Sequence, residues 1–477
     1  MRIIVSLLIA ALCVTACLMP AIAYEKVPEA TLRIPPMVLP EKSVSTWIVS
    51  DAAGSEGLAV NVIYPDKPRY KEGAPLAVVV PGGNEKSGLE FSTHAAQSGF
   101  AEVRFAFPGG GKPGFASGGV YDYRGPKCHA ALRDVLLFAG GKGKDIQGKT
   151  ISQLVPAKLD TKSVGIIGWS NGGNTAVIAL AKFADQLKFV DWLVFYETPL
   201  GSIFYPPALG SAQDLIQNRH YHQGSAATGH VLVDYRKLCW QPTGQRNPGA
   251  HKKQGQPEIP GVVFFDENGN KQWDEEIEFA LPYSVDAAGD KQIYPSVVTQ
   301  ALQRLKVFSD KWPKTLATPG QCEKYFQERD GSLYINELAK QMPNLFVCVF
   351  ASVLDHLQRQ PDHPHICLNY NAWLADKVRF VRLNPDPVYV SKIAAMGAGT
   401  FVDNKPNASI DSSTIEEFLE PEGLLPDYVY IEAAAAELAD RQRANNVSDS
   451  LTEPLVTYSN GAVAPSLEKL DGAKLAP

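Results

Sequence analysis

Ser170 is the residue on which chemistry would turn. It stands in Gly168-Trp169-Ser170-Asn171-Gly172, a G-x-S-x-G spacing that lets a strand turn abruptly into a helix with the hydroxyl at the turn. The flanking glycines admit neighbouring backbone where a Cβ would collide. The helix that follows aims free N–H groups and its positive dipole end at the same place. The N–H of Asn171 would be one oxyanion donor, and a second is expected from Gly83 or Asn84 in an earlier loop. A serine so held attacks a carbonyl once a base takes its proton. Esters, thioesters and peptides all fit that chemistry.

The elements that must position it are legible. Ser163–Ile167 is a short apolar strand running into the motif, and Thr175–Phe183 reads as helix. Leu76–Val80 is a continuous apolar run, as expected of a strand buried on both faces, and ends in Pro81-Gly82-Gly83-Asn84. Thr46–Ser50 and Leu58–Tyr64 alternate like a hairpin. Further strands are expected at Glu102–Phe107, Trp192–Tyr196, Leu345–Ala351 and Arg379–Leu383, with helices near Lys127–Ala139 and Pro364–Lys377. This alternation predicts an α/β fold with a mainly parallel sheet flanked by helices. It is interrupted over 201–339, a stretch rich in Gly, Gln, His and turn signals, with a helix near Ser296–Ser309. We read 24–200 and 340–395 as the core and 201–339 as an insertion or cap over the C-terminal edge of the sheet. Residues 396–477 form a C-terminal extension, partly disordered, with an alanine-rich helix near Ile431–Ala444.

Taken together, Val78-Val79-Val80-Pro81-Gly82-Gly83, Gly168-Trp169-Ser170-Asn171-Gly172-Gly173, and Leu345–Ala351 followed by Ser352-Val353-Leu354-Asp355 resemble the α/β-hydrolase superfamily. The resemblance covers roughly 46–200 and 340–390. It implies an eight-strand-type sheet and a Ser–acid–His triad in that chain order. Asp355, after a strand, suits the acid, with Glu197 as the alternative. The resemblance also implies a histidine just after the last strand, but Leu383-Asn384-Pro385-Asp386-Pro387 contains none, and no His follows His365. The base is therefore expected among His363, His356 and His365. His363 could fold back to meet Asp355. His356 is adjacent to Asp355, so the two would point apart in an extended segment, and Glu197 would orient it instead. A second reading keeps the fold and loses the catalysis, leaving a surface binding protein.

Asp266-Glu267-Asn268-Gly269-Asn270-Lys271-Gln272-Trp273-Asp274-Glu275-Glu276 is the other chemical motif. Oxygen side chains at Asp266, Asn268, Asn270 and Asp274, with the Gln272 carbonyl, are spaced to wrap a hard cation. The run resembles EF-hand-like calcium loops of exported bacterial proteins. Lys271 stands where such a loop has Gly and Ile277 where it has Glu, so Glu276 or Glu278 would close the site. Flanking strands Val262–Phe265 and Glu278–Pro282 place it at a hairpin tip. Calcium (Ca2+) is expected as a structural ion, and no organic cofactor is expected. A calcium-dependent adhesion module would explain this loop but not the α/β pattern.

The 477 residues are 45% hydrophobic and 20% charged, with a net charge of −6 and no long basic run, so no nucleic-acid partner is expected. A small-molecule or peptide substrate is expected. Residues 1–23 read as a signal peptide ending Ala21-Ile22-Ala23; Val14-Thr15-Ala16-Cys17 competes as a lipoprotein box. Either form is exported, and membrane contact is expected only through a lipid at Cys17. Cys239 and Cys322 are the expected disulfide pair, and Cys348 a buried free thiol.

Overall fold

Ala74–Val80 (β3) carries no polar side chain, and every residue in it is buried. Such a strand needs partners on both edges and layers on both faces, and it has them. The computed structural model describes residues 41–83, 85–200, 235–242, 261–274, 277–280, 291–293, 296–306, 315–350, 364–396, 427–448 and 450. Lys42–Ser50 (β1), Gly54–Tyr64 (β2), Ala101–Phe105 (β4), Leu159–Trp169 (β5), Val190–Tyr196 (β6), Phe346–Phe350 (β7) and Phe380–Leu383 (β8) join β3 in one eight-stranded sheet. Its order is β1-β2-β4-β3-β5-β6-β7-β8. β2 runs antiparallel to both β1 and β4, and all pairings from β4 to β8 are parallel. This mainly parallel sheet flanked by helices is the α/β-hydrolase arrangement that the resemblance implies.

Alternation sorts the strand residues between two cores. Val78, Val80, Val164, Ile166, Leu193, Phe195, Val347 and Val349 face one layer. Helices Pro126–Ala139 (α1), Asn171–Lys182 (α2), Ile335–Gln341 (α4) and Pro364–Ala375 (α5) build that layer; Pro319–Gln327 (α3) precedes α4 in the chain. Ala77, Ile167, Trp192, Val194, Phe346, Cys348 and Phe350 face the other layer. Pro387–Met396 (α6) and Asp427–Ala444 (α7) cover it. The buried run Ala433–Ala436 is small enough for α7 to lie close on the sheet. Among the described residues no helix is long and apolar enough to cross a membrane.

Several details differ from expectation. β5 begins at Leu159 rather than Ser163, because Asp160, Thr161 and Lys162 are polar and partly or fully exposed, which an apolar count misses. Helix α3, within 201–339, and α4, which crosses the 339/340 boundary, were not anticipated. Cys239 and Cys322 are free thiols, not a disulfide. Each sits on its own element beside its own polar partner: Cys239 Sγ lies 3.8 Å from Asp266 Oδ2, and Cys322 Sγ 3.4 Å from Thr299 Oγ1. Cys348 is a fully buried free thiol, as expected.

The buried face of α7 also carries acids. Glu432 is 2% exposed and accepts a hydrogen bond from the Ser98 hydroxyl. Burial pushes its carboxyl from 4.5 up to about 8. The folded state therefore holds a proton that the unfolded chain releases above 4.5. Stability is expected to fall as pH rises from about 4.5 to 8 and to level off beyond. Glu432→Gln should flatten that part of a melting-temperature profile, gaining most at the alkaline end; a profile parallel to that of the parent chain would refute the assignment.

Candidate active site

At Ser170 the backbone takes φ 47 and ψ −127, between the end of β5 and the first residue of α2. A non-glycine residue rarely adopts this conformation and is held there only by its surroundings. Those surroundings are specific. The Ser170 N–H donates to the Tyr196 carbonyl at the end of β6 (2.7 Å), and Gly173 N–H donates to the Ser170 carbonyl (3.0 Å). A Cβ on Gly172 would stand 2.3 Å from the Val80 carbonyl oxygen, and one on Gly168 would stand 2.7 Å from Gly173 Cα. Both contacts lie far inside van der Waals distance, so only glycine lets α2 start against β3 and β5.

The Gly82-Gly83 loop lies against this turn. A Cβ on Gly82 would sit 3.0 Å from Ser170 Cβ. Asn171 Nδ2 donates to the Gly83 carbonyl at 3.2 Å, tying the first residue of α2 to the loop. Gly83 has φ 52. Asn84, the other expected donor, lies outside the described residues. Trp169 stacks on Phe91 (4.5 Å between centroids, 3° between planes) and lies near-parallel to Tyr196. The serine therefore stands beside an aromatic wall.

Glu197 is 2% exposed with φ 46, one residue after the Tyr196 carbonyl that holds Ser170. Asp355, His356 and His363 lie outside the described residues. His365 falls in the first turn of α5, of which the backbone alone is described. The turn after β8 is described in detail and is committed to other contacts. Asn384 N–H donates to the Val349 carbonyl (2.8 Å), Asp386 N–H to Glu437 of α7 (2.6 Å), and Arg441 reaches Asp386 Oδ2 at 3.4 Å. His129, on α1, is buried beside Lys182, Arg329 and Arg124. Burial and those cations hold its imidazole well below the ordinary value.

The 266–278 loop follows the strand Gly261–Phe265, which pairs with Leu238–Pro242 and Phe279–Ala280. Asp266 accepts from the N–H groups of Gly269 (2.8 Å) and Lys271 (3.1 Å). Asn268 Oδ1 accepts from Asn270 N–H, and Asn270 Oδ1 from Gln272 N–H. Lys271 adopts φ 60, the left-handed form for which glycine is usual. Fully buried Glu278 spans the loop, accepting from Glu267 N–H (3.1 Å) and Asp274 N–H (2.9 Å). Glu276 lies outside the described residues. Among the described residues no three Asp, Glu, His or Cys side chains converge as a metal cluster. A cation here would depend on amide and backbone oxygens beside Asp266 and Glu278.

No family model matches the chain, and no curated protein matches it. Among solved structures, the chain is similar to a fungal esterase of Rhizomucor miehei (12% identity, TM-score 0.24), covering 34% of this chain and 46% of that one. It is similar also to a thermophilic carboxylesterase from a metagenomic library (16% identity, TM-score 0.23, 35% of this chain and 49% of that one). The chain thus spans about half the length of these two enzymes. A bacterial brefeldin A esterase aligns over 87% of this chain and 81% of its own, at 13% identity and TM-score 0.36. At these TM-scores the fold assignment rests on the strand order, not on the likenesses.

The crowding at the turn has a direct consequence. Gly172→Ala should destabilise the protein by about 1–3 kcal/mol through overpacking against Val80. Urea denaturation measures this; an unchanged midpoint would mean that α2 does not start against β3.

Proposed function

We propose that the chain is an exported serine hydrolase that cleaves an ester or amide bond with Ser170 as nucleophile. The observation that carries this reading is the left-handed backbone at Ser170, φ 47, held at a strand–helix turn with the Gly82-Gly83 loop against it. Ser170 Oγ attacks the acyl carbon while its proton passes to an imidazole. The leaving alcohol or amine departs with that proton, and water releases the acyl group by the reverse sequence. N–H groups of Asn171 and of Gly83 or Asn84 receive the oxyanion. The imidazole comes from His363, His356 or His365, and its orienting acid is Asp355 or Glu197. The burial of Glu197 one residue beyond Tyr196 supports it as a partner for that base.

A fluorophosphonate probe should label the protein, and Ser170→Ala should abolish labelling and lower p-nitrophenyl acetate hydrolysis by about 10⁴-fold or more. Among His356→Asn, His363→Asn and His365→Asn, the variant with the comparable loss names the base. Absence of labelling, with no hydrolysis to lose, would instead favour the non-catalytic binding protein.

We assign the 266–278 loop to a structural calcium ion, held by Asp266, Asn268, Asn270, the Gln272 carbonyl, Asp274 and Glu276 or Glu278. The donor set is all oxygen, as a hard cation requires. The ion would cross-link the hairpin and takes no part in bond cleavage. At 10 mM calcium a weak extracellular site should add about 1–3 kcal/mol. A melting temperature unmoved by calcium and by chelator, in parent and Asp266→Ala alike, would refute it.

A further inference from the structure

Arg124 is 1% exposed and lies on the segment between β4 and α1. Its Nη2 donates to the Gly82 carbonyl (2.9 Å) and to the Glu85 carbonyl (3.0 Å), one on each side of Gly83-Asn84. Its Nε donates to the Tyr121 hydroxyl at 3.2 Å, and the guanidinium lies 4.3 Å from the Phe107 ring centroid. Among the described residues its acceptors are carbonyls and a phenol, not a carboxylate. A buried cation whose charge is met by carbonyl dipoles fixes how those carbonyls point. Asn171 fixes the carbonyl between them, that of Gly83. With the carbonyls of Gly82, Gly83 and Glu85 engaged by side chains, the peptide planes between them lose their freedom to rotate. The Gly83 N–H lies in the same peptide plane as the Gly82 carbonyl, so the bond from Arg124 sets its direction.

Arg124 is itself braced. Tyr123 and Arg124 have φ 55 and 67, two adjacent left-handed non-glycine residues, a conformation that persists only when contacts over-determine it. Those contacts come from two sides. The Asp122 carboxylate accepts from N–H groups of Gly125, Lys127 and Cys128 at the start of α1. Arg329, just beyond α3, donates to the Asp122 carbonyl (2.7 Å), the Tyr123 carbonyl (2.7 Å) and the Tyr325 carbonyl (2.8 Å).

We propose that Arg124 is the positioning residue of the oxyanion loop and that Arg329 holds Arg124 in place. Arg329 then acts on the reacting serine through two guanidinium groups in series. This inference rests on the hydrolase reading of Ser170. Arg124→Met should lower kcat for p-nitrophenyl acetate by about 100-fold with KM within about threefold, because donors aimed at the oxyanion act on the transition state alone. Arg124→Lys should recover little, since lysine has neither the Nε–H that donates to the Tyr121 hydroxyl nor the flat guanidinium that lies on the Phe107 ring, which together hold the bridging nitrogen in place. Arg329→Met should cost about tenfold. The double variant should be no worse than Arg124→Met, because the two lie on one path. Effects that multiply in the double variant, a rise in KM at constant kcat, or full recovery with lysine would overturn the proposal. If Arg124→Met does not fold, Arg329→Met alone decides by the same split of kcat against KM. Amide hydrogen exchange separates this proposal from the hydrolase reading. Faster exchange at Gly83 and Asn84 in Arg124→Met is expected even in a chain that no fluorophosphonate labels, and unchanged exchange there would overturn the brace by itself.

Discussion

The backbone at Ser170 is the constraint around which the rest of the fold is arranged. A φ of 47 on a residue with a Cβ costs about 1–3 kcal/mol. Nothing local to the pentapeptide supplies that energy. It is offset by the sheet, which presents the Tyr196 carbonyl to the Ser170 N–H, and by the approach of α2 to Val80 that glycine at 172 permits. Both contacts need β3, β5 and β6 in parallel register, so that their C-terminal ends stop at one level. Val80 pairs with Gly168, and Trp169 with Tyr196. The parallel sheet is thus what keeps the serine in its strained form.

Around that edge, backbone groups left over by chain reversals are taken up by side chains. Asp122 accepts the first N–H groups of α1, and Arg329 and Arg124 collect carbonyls from two successive loops. Thr198 Oγ1 lies 3.4 Å from the Gly168 carbonyl beneath the turn. A buried carbonyl without a donor costs about 1–3 kcal/mol. Satisfying several at once from one guanidinium removes that cost and fixes the relative rotation of the peptides concerned. Rigidity at the site and polar satisfaction of the loops are here the same set of contacts.

This explains what the sequence made legible. Strands β3 and β7, and β6 from Trp192 onward, are apolar on both faces and could be read directly; β5 could be read only where it is buried. The elbow was legible because its glycines answer to backbone approach, which depends on local spacing. Helix α3 was missed although Thr318-Pro319-Gly320-Gln321 contains its start signal: Thr318 and Gln321 form a capping box with proline at the first helical position. Arg124 and Arg329 carried no signal, because an arginine that binds carbonyls has no partner type or spacing to betray it. The cysteine pairing failed for a similar reason: spacing does not report that Cys239 and Cys322 face different neighbours.

The corner after β8, where the resemblance implies a histidine, is used to close the second face of the sheet. Helix α7 is rich in alanine and can lie flat on β6 and β7, but alanine alone gives it little to fix its position along the sheet. Charged residues do so at its C-terminal half. Glu437 accepts from Asp386 N–H and pairs with Arg441 (2.7 Å) and Arg382 (3.5 Å), while Arg441 reaches Asp386. Asn384, with φ 56, turns the chain between β8 and this cluster and donates to the Val349 carbonyl. The corner after β8 thereby serves as the latch between α7 and the sheet edge. A histidine in place of Asp386 would lose the carboxylate that Arg441 reaches. β7 ends at Phe350, which pairs with Tyr196, and Tyr196 pairs with Trp169, so the chain that carries Asp355, His356 and His363 starts from the same edge of the sheet as the serine.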